Sequence, residues 1–286
     1  MEFRHLRSFL AMADELHFGR AAEKLHIEQS PLSRAIKELE EELGVVLFDR
    51  TTRSTRLTRA GRLFQAHVQR VFAALQQARD SVNAAASGFH GQLRVALSDG
   101  IALSRLPALL ALCRQEEPEV EIRFFEVSLS QQIKGLHDDL YDVGFAQSDE
   151  VGDGLVAELV WSDELMVAVP ARHPLLTHKR IPLEELLRHP LVLCDSQMCE
   201  GHARQVDRVL RRVDMEPLIA ERVSSCGLMM ALVSAGFALG LTGAANIKSS
   251  GVSGVVARSL AGFSPTLKTF LLRRYGEPSE TLDRFI

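Results

Sequence analysis

One segment decides the fold of this chain: E-Q-S-P-L-S-R-A-I-K, residues 28–37. Ser30 is a typical N-cap residue, and Pro31 suits the first helical position, where its missing N–H has no intrahelical role. The segment therefore predicts a helix that begins here. Its apolar residues recur with helical spacing and form one stripe that faces inward, namely Leu32, Ala35, Ile36, Leu39 and Leu43.

The opposite face of this helix carries polar and basic side chains. Gln29 and Arg34 have the hydrogen-bonding geometry for bidentate contacts with adenine and guanine in the major groove of DNA. Ser30, Ser33 and Lys37 suit contacts with the phosphate backbone. Glutamates follow at positions 38, 40, 41 and 42. Because carboxylates repel phosphates, we expect only the first turns of the helix to enter the groove.

The flanking sequence indicates a winged helix-turn-helix. Helical patterns over residues 3–13 and 20–25 precede the segment, and Gly44 is a typical helix C-cap. Residues 45–48 and 55–57 have the pattern of two short strands joined by a polar turn. Together they predict a small β-hairpin, the wing, directly after the third helix.

Positive charge is concentrated around this wing. Six arginines and no acidic residue lie between positions 50 and 70, although the whole chain carries a net charge of −4. Arg50 and Arg53 are expected to hold flanking phosphates or the minor groove. The predicted DNA-binding residues are Gln29, Ser30, Pro31, Ser33, Arg34, Lys37, Arg50 and Arg53.

A long helix is predicted after the wing, from a cap at Thr58 to about Ala86. Apolar residues recur in it at alternating spacings of four and three, which is the pattern of a coiled-coil seam. The alternative is that this face packs on the helix's own domain. Since the helix lies between two compact parts of the chain, we favour self-association through Phe64, Val68, Val71, Leu75 and Val82.

Strands and helices alternate from Gly91 onward. One β-α-β series covers residues 93–146 and a second begins near Glu164, and both predict parallel strands with helices on the two faces. A strand at Thr269–Arg273 is expected to return to the first series. Two α/β lobes joined by crossing strands leave a cleft at the carboxyl ends of their strands, where small ligands bind.

Composition and motifs exclude other classes of protein. Four cysteines in a chain of 286 residues do not form a disulfide framework. Neither a signal-peptide pattern nor a membrane-spanning stretch is present, so we expect a cytoplasmic protein without a membrane partner. Paired carboxylates, an H-E-x-x-H motif and a nucleophile elbow are also lacking, and the glycines at 236, 240 and 243 match no phosphate-binding loop. We therefore expect no enzyme activity, no catalytic residue and no cofactor.

The N-terminal motifs together resemble a known family. They include Arg20–Ala21–Ala22, Gln29–Ser30–Pro31–Leu32–Ser33, Leu43–Gly44 and Leu57–Thr58. In this combination the run from Phe3 to Gly61 resembles the LysR-type transcriptional regulators almost throughout. Looser matches such as Gly91–Leu93–Val95, Asp142–Val143–Gly144–Phe145 and Pro170–His173–Pro174–Leu175 extend the resemblance over essentially the whole chain.

The resemblance implies an α+β multidomain fold. Its parts are a winged helix-turn-helix (residues 1–58), a linker and dimerisation helix (59–88) and a two-lobed effector-binding domain (89–286) like periplasmic binding proteins. Lobe I covers about 91–162 and 267–286, and lobe II about 163–266. The implied function is sequence-specific binding of promoter DNA by a homotetramer, a dimer of dimers, under control of a small-molecule co-inducer, with RNA polymerase as a further partner.

The resemblance also implies where the effector binds, because the family's effector lies between the lobes. Hydroxyls at a helix N-terminus suit a carboxylate, so Ser128 and Ser130 favour a small organic acid, aromatic acids included. Plain N-capping is the alternative for these two serines, and Asp99 would repel an acidic effector. The matching positions in this sequence are Ser98, Asp99, Ser128, Ser130, Phe145, Ser196 and Thr242.

Two alternatives remain open at this stage. Cys194 and Cys199 flank the predicted crossing segment, and some family members sense oxidants through cysteines, so a thiol-based redox regulator is the first alternative. An α/β small-molecule-binding protein or enzyme is the second, and the N-terminal unit opposes it. Cys199 and His202 have the spacing of two metal ligands, but a site needs further ligands and none is suitably spaced, so no metal is expected.

Overall fold

The chain divides into two compact units, Met1–Asp80 and Ser81–Ile286. The structure is a computed structural model that describes residues 1–50, 54–86, 91–98, 101 and 106–285. The N-terminal unit is helical with one small hairpin, and its last helix continues into the second unit. Its elements are α1 (Phe3–Glu15), α2 (Phe18–Leu25), α3 (Gln29–Leu43), β1 (Phe48–Arg50), β2 (Thr55–Leu57) and α4 (Arg59–Ala86).

Helix α3 begins earlier than its sequence signal indicates. Glu28, not Ser30, is the N-cap of α3, and Pro31 is the third helical residue rather than the first. The first-turn N–H groups of a helix have no intrahelical partner, so proline is tolerated throughout that turn. The predicted C-cap is confirmed, because Gly44 has a φ of 68° in the left-handed region that favours glycine.

An aromatic and aliphatic core fixes the three helices of this unit. Leu32, Ile36 and Leu39 on α3 are fully buried. The ring of Phe9 lies 5.4 Å from that of Phe48 and 4.9 Å from that of Phe64, between centroids. The predicted stripe of α3 therefore packs against α1, the wing and α4 together.

The wing is shorter than predicted. Its first strand is Phe48–Arg50 rather than residues 45–48, and it pairs antiparallel with β2 from Phe48↔Leu57 to Arg50↔Thr55. Val45 and Val46 are exposed and lie outside the strand. The correction has a local cause, since the backbone N–H groups of Leu47 and Phe48 donate to a side chain of α3.

The predicted long helix is present, and only part of its seam is free. Thr58 caps α4, because its Oγ1 accepts a hydrogen bond of 2.9 Å from the N–H of Gly61. Val68 is buried and Phe64 partly buried in the core of the N-terminal unit, so these two predicted dimerisation residues serve the unit's own packing. The later seam residues are exposed to 43%, 42% and 69%, namely Val71, Leu75 and Val82.

The second unit is built on a ten-stranded mixed sheet. Its strands follow the order β4-β3-β5-β12-β6-β10-β8-β9, with β11 paired to β6 and β7 paired to β11. The elements are β3 (Gly91–Leu97), α5 (Leu106–Glu116), β4 (Val120–Glu126), α6 (Leu129–His137), β5 (Val143–Ala146), β6 (Leu155–Pro170), β7 (Arg180–Ile181), α7 (Leu183–Leu186), β8 (Leu191–Cys194), α8 (Glu200–Leu210), β9 (Ile219–Val223), α9 (Cys226–Ser234), β10 (Leu239–Gly243), α10 (Ala244–Ser249), β11 (Val255–Leu260), β12 (Thr266–Arg274) and α11 (Glu280–Phe285).

Two long antiparallel strands join the halves of this sheet. β6 pairs with β12 over Leu155–Glu164 and then with β10 and β11 up to Pro170. Their register shifts at one point, where Thr269 faces Trp161 but Phe270 faces Leu159. The predicted return of the last strand to the first series is confirmed, since β12 also pairs with β5.

The sheet differs from the predicted all-parallel arrangement because these two strands run against their neighbours. β4, β3 and β5 are parallel, as are β10, β8 and β9. The apolar pattern indicated only the second half of β6, residues 165–169, and gave no sign of β11, whose side chains are nearly all half-buried without alternation. Across the described residues, no helix has the length and apolar character needed to cross a bilayer.

We predict that Gly61→Ala destabilises the N-terminal unit. A Cβ at position 61 would lie 2.2 Å from the carbonyl oxygen of Leu47, so the backbone of the wing would have to move. Overpacking of this kind costs about 1–3 kcal/mol of unfolding free energy, which urea denaturation followed by circular dichroism measures. Gly227→Ala is the control, because its Cβ meets nothing within 4 Å. Equal effects of the two substitutions would contradict the close approach.

Candidate functional site

The first surface of interest is the outer face of α3. Gln29, Ser30, Pro31, Arg34 and Lys37 are exposed on it. Ser33, the remaining predicted residue of this helix, is half-buried. The structure therefore keeps the predicted polar face clear of the core, and it presents two bidentate-capable side chains in the first turns.

The acidic half of α3 is paired within the unit. Glu38 lies 3.4 Å from His5, Glu41 lies 3.5 Å from Lys37, and Glu42 contacts the N-terminal amino group. Pairing with Lys37 and with the N-terminal amino group lowers the repulsion that Glu41 and Glu42 would exert on a nearby phosphate. The limit on groove entry that the glutamates set is correspondingly weaker than their number indicates.

The wing arginines differ in whether the guanidinium group is paired with a carboxylate of the same unit. The guanidinium of Arg50 donates to Glu40 at 2.8 Å and lies 5.1 Å from the ring centroid of Phe18. Its predicted role as a phosphate contact is corrected to this extent, because its charge is already neutralised by Glu40. Arg56 is exposed on β2. Arg53 lies outside the described residues.

The second surface is the junction of the two halves of the larger unit. His202, at the start of α8, is buried between Gln147 Oε1 at 2.9 Å and the carbonyl oxygen of Leu241 at 3.3 Å. Gln147 follows the carboxyl end of β5, and Leu241 lies near the carboxyl end of β10. His202 thus links strand ends of the two predicted lobes, which is where a ligand cleft is expected.

On the lobe I side, the structure gathers Ser98 and Phe145 around a buried amide. Gln132 of α6 accepts a hydrogen bond of 3.1 Å from Ser98 Oγ and donates to the carbonyl oxygens of Ala96 and Phe145 at 2.8 and 3.1 Å. The Phe145 side chain is stacked on Trp161, with the centroids 5.1 Å apart, inside the core. Its predicted contact with an effector is therefore corrected, because the ring packs away from solvent and only its carbonyl joins the polar group.

Ser128 and Ser130 lie together at the N-terminus of α6, with their hydroxyl oxygens 3.0 Å apart. Ser128 Oγ accepts a hydrogen bond from the Gln131 N–H and takes part in a capping box with that residue. The N-capping alternative is thus realised for Ser128. Ser130 is exposed, and its hydroxyl can turn toward a ligand.

On the lobe II side, Thr242 is buried and accepts a hydrogen bond of 3.1 Å from Asn246 Nδ2. Ser196 is exposed in the turn after β8, where Asp195 Oδ1 accepts hydrogen bonds from the backbone N–H groups of Gln197 and Met198. Asp163 accepts from the Ala245 N–H at 2.8 Å. Asp99 lies outside the described residues.

Sequence reasoning missed Gln132 and His202 as members of this junction. Gln132 was detectable, because it is a polar residue on the apolar face of α6 between Leu129 and Leu136. His202 gave no comparable signal, since its spacing from Cys199 points to a metal instead. Among the residues that the structure describes, no cluster of His, Cys, Asp and Glu could hold a metal ion.

The cysteines of lobe II lie in one apolar cluster. Cys194 and Cys199 are buried there, and Cys226 packs against them. Burial raises the pKa of the Cys226 thiol, and the nearby Cys199 adds to the rise, against an opposing hydrogen bond with Thr242. A raised thiol pKa lowers the thiolate fraction at neutral pH and with it the reactivity toward oxidants.

Comparison with protein families gives two matches along the chain. The family described as "Bacterial regulatory helix-turn-helix protein, lysR family" matches residues 3–62. The family described as "LysR substrate binding domain" matches residues 86–286. The first match lies within the first compact unit, and the second match lies within the second.

Individual relatives give the same result. An uncharacterised HTH-type transcriptional regulator of Escherichia coli K12, YnfL, is 32% identical over 242 residues, which are 84% of this chain and 82% of the relative. The crystal structure of full-length CbnR with its target DNA has a TM-score of 0.76 at 27% identity and covers 100% of this chain and 97% of its own. A hydrogen peroxide-bound OxyR variant of Corynebacterium glutamicum has a TM-score of 0.62 at 25% identity, over 99% of this chain and 90% of its own.

Proposed function

Because this chain belongs to the LysR family of bacterial transcriptional regulators, we propose that it reads promoter DNA through α3 and answers to a small molecule bound between its lobes. The observation that carries the DNA-binding half is the exposed face of α3, where Gln29 and Arg34 stand clear of a fully buried apolar stripe. Because a bacterial transcriptional regulator acts on the chromosome, we propose that this protein is cytoplasmic.

In this proposal the residues of α3 have separate tasks. Gln29 and Arg34 make bidentate contacts with base edges, while Ser30, Ser33 and Lys37 hold the phosphate backbone. Pro31 shapes the exposed first turn. Arg53 contacts flanking phosphates or the minor groove, which strengthens DNA binding independently of sequence.

We predict that Arg34→Ala removes sequence preference. Loss of one bidentate base contact should cost about 1–3 kcal/mol on a duplex that the wild-type protein selects from a random pool, with little change on an unselected duplex. Fluorescence anisotropy on both duplexes measures the difference. The control is Arg7→Ala, which removes an exposed arginine of α1. Unchanged sequence preference in the Arg34 variant would refute this assignment.

Arg53→Ala should instead weaken binding to both duplexes. It should also lower the slope of log affinity against log salt concentration by about one.

We propose that α4 mediates self-association. Val71, Leu75 and Val82 leave an apolar row on the solvent side of a long helix, and water contact with such a row is unfavourable. A dimer of dimers needs a second surface, and α5 offers one. None of its residues is buried, Leu112 among them is exposed, and Phe124 on β4 is exposed as well. We also propose a contact with RNA polymerase, to which we assign no surface.

We predict that Leu75→Glu lowers the oligomeric state. A carboxylate in the apolar seam would have to be desolvated on association, which costs several kcal/mol per ion. Sedimentation velocity at micromolar concentration gives the species present. Gln77→Glu adds the same charge at a neighbouring exposed position of α4 and should leave the assembly intact. An unchanged sedimentation coefficient in the Leu75 variant would rule out this seam.

For the effector we propose a small organic acid, aromatic acids included. The exposed hydroxyl of Ser130, which shares a hydrogen bond with Ser128, and the positive end of α6 support this class. Asp163 and Asp195 repel an acidic ligand less than their charge indicates, because both carboxylates accept hydrogen bonds from backbone N–H groups. Asp163 accepts one such bond and Asp195 accepts two. Ser98, Ser128, Ser196 and Thr242 are the remaining polar positions of the proposed cleft.

We predict that an acid effector stabilises the wild-type protein and fails to stabilise Ser130→Ala. Ligand binding to the folded state raises the unfolding temperature in proportion to the logarithm of its concentration over Kd. A thermal-shift screen of aliphatic and aromatic acids, each beside its neutral amide, provides the measurement. Ser253→Ala, in an exposed turn of the same unit, is the control. A hit that favours the amides would overturn the acid class.

Thiol chemistry receives less support than effector binding as the input signal. Cys194 and Cys199 are buried, and burial raises the pKa of Cys226 beside them. Two relatives that each match 84% of this chain are HTH-type transcriptional regulators, so an enzyme is not proposed.

A further inference from the structure

We infer that Glu40 is the positioning residue that sets the wing against the DNA-reading helix, and that the protein's grip on flanking DNA depends on it. This rests on the proposed DNA binding through α3. Glu40 lies in the second half of that helix, behind the residues that face the groove. It acts on DNA through the wing and not by contact.

The inference starts from the contacts of a single carboxylate. Glu40 Oε1 accepts hydrogen bonds from the backbone N–H groups of Leu47 and Phe48, at 2.8 and 3.1 Å. Its Oε2 accepts from the guanidinium of Arg50 at 2.8 Å. The carboxylate is only 14% exposed. Hydrogen bonds to an ionised acceptor are stronger than those between neutral groups, so this is a rigid junction.

These contacts define where the wing begins. The chain leaves α3 at Gly44 and has no regular structure until β1 starts at Phe48. The N–H groups of Leu47 and Phe48 are therefore held by α3 itself through the carboxylate. The carbonyl of Leu47 in turn accepts from the Thr58 N–H at 2.9 Å, on the far side of the hairpin. Both strands of the wing thus take their position from this point.

Arg50 completes the junction and explains why a half-buried carboxylate is tolerated. Its guanidinium neutralises Glu40 and lies over the ring of Phe18 on α2, 5.1 Å from the centroid. A cation above an aromatic face is stabilised by the ring's quadrupole. Three elements, α2, α3 and β1, therefore meet at one ion pair.

If Glu40 positions the wing, its removal should change the DNA affinity in the direction opposite to the one that charge alone predicts. Removal of a negative charge near DNA should tighten binding, and Glu41→Gln, at an exposed neighbour, provides this case. Glu40→Gln removes the same charge but loosens the wing. We expect Glu40→Gln to bind about tenfold more weakly than wild type, both to a duplex selected by the wild-type protein from a random pool and to an unselected duplex. The ratio of the two affinities should stay unchanged, because α3 still reads the bases.

Hydroxyl-radical footprinting separates positioning from folding. Glu40→Gln should keep protection at the centre of the selected duplex and lose it at the flanks, at a temperature where circular dichroism shows folded protein. The inference is overturned if Glu40→Gln binds as Glu41→Gln does, or if it loses only the preference for the selected duplex. Failure of the wild type to select any duplex would instead refute the DNA-binding proposal.

Arg50→Gln keeps the inference testable if Glu40→Gln does not fold. A direct phosphate contact would release about one counterion, so its loss would lower the salt slope by about 0.9. With Arg50 held by Glu40, we expect weaker binding of both duplexes and an unchanged slope. A lower slope would return Arg50 to the role of a phosphate contact and overturn the inference.

Discussion

Burial of one stripe of α3 governs the N-terminal unit. Leu32, Ile36 and Leu39 are shielded from water by helices and wing together, so the opposite face has only one orientation available to it. The side chains suited to base edges are consequently presented without a loop or a mobile segment to position them. Hydrophobic packing therefore determines which side chains of α3 remain exposed to solvent.

The larger unit depends on a different constraint, the need to satisfy polar groups at the ends of parallel strands. Gln132 bridges the backbone of β3 and β5 while its carbonyl oxygen receives the Ser98 hydroxyl. Gly144 leaves room for this side chain, since a Cβ there would lie 2.3 Å from Gln132 Nε2. The Gln132 side chain and the missing Cβ of Gly144 thus fit one another, and the polar groups around Gln132 have hydrogen-bond partners.

The sequence predicted those parts of the molecule in which periodicity and burial coincide. The three helices, the hairpin, the Gly44 cap and the long helix followed from local patterns, as did the α/β series of the second unit. The start of α3 was wrong because proline is compatible with more than one first-turn position. Half of β6 was not indicated, because its burial comes from crossing strands and not from alternation.

The candidate sites were predicted unevenly for similar reasons. Exposed residues of α3 were foreseeable from a helical wheel. The engagement of Arg50 by Glu40 was not, because it joins residues that the wing brings together only after folding. Phe145 was misplaced because strand position alone does not tell which side of the sheet a ring takes.

The irregular pairing of β6 and β12 has a mechanical consequence. A ladder that skips one residue is locally weaker and more twisted than its flanks, and here the skip falls between the segments that pair with β5 and with β10. Val160 is the residue that the ladder skips, so we expect β6 to bend there more readily than in its regularly paired flanks. In the proposed ligand-bound state, the two halves of the sheet would then rotate about this residue.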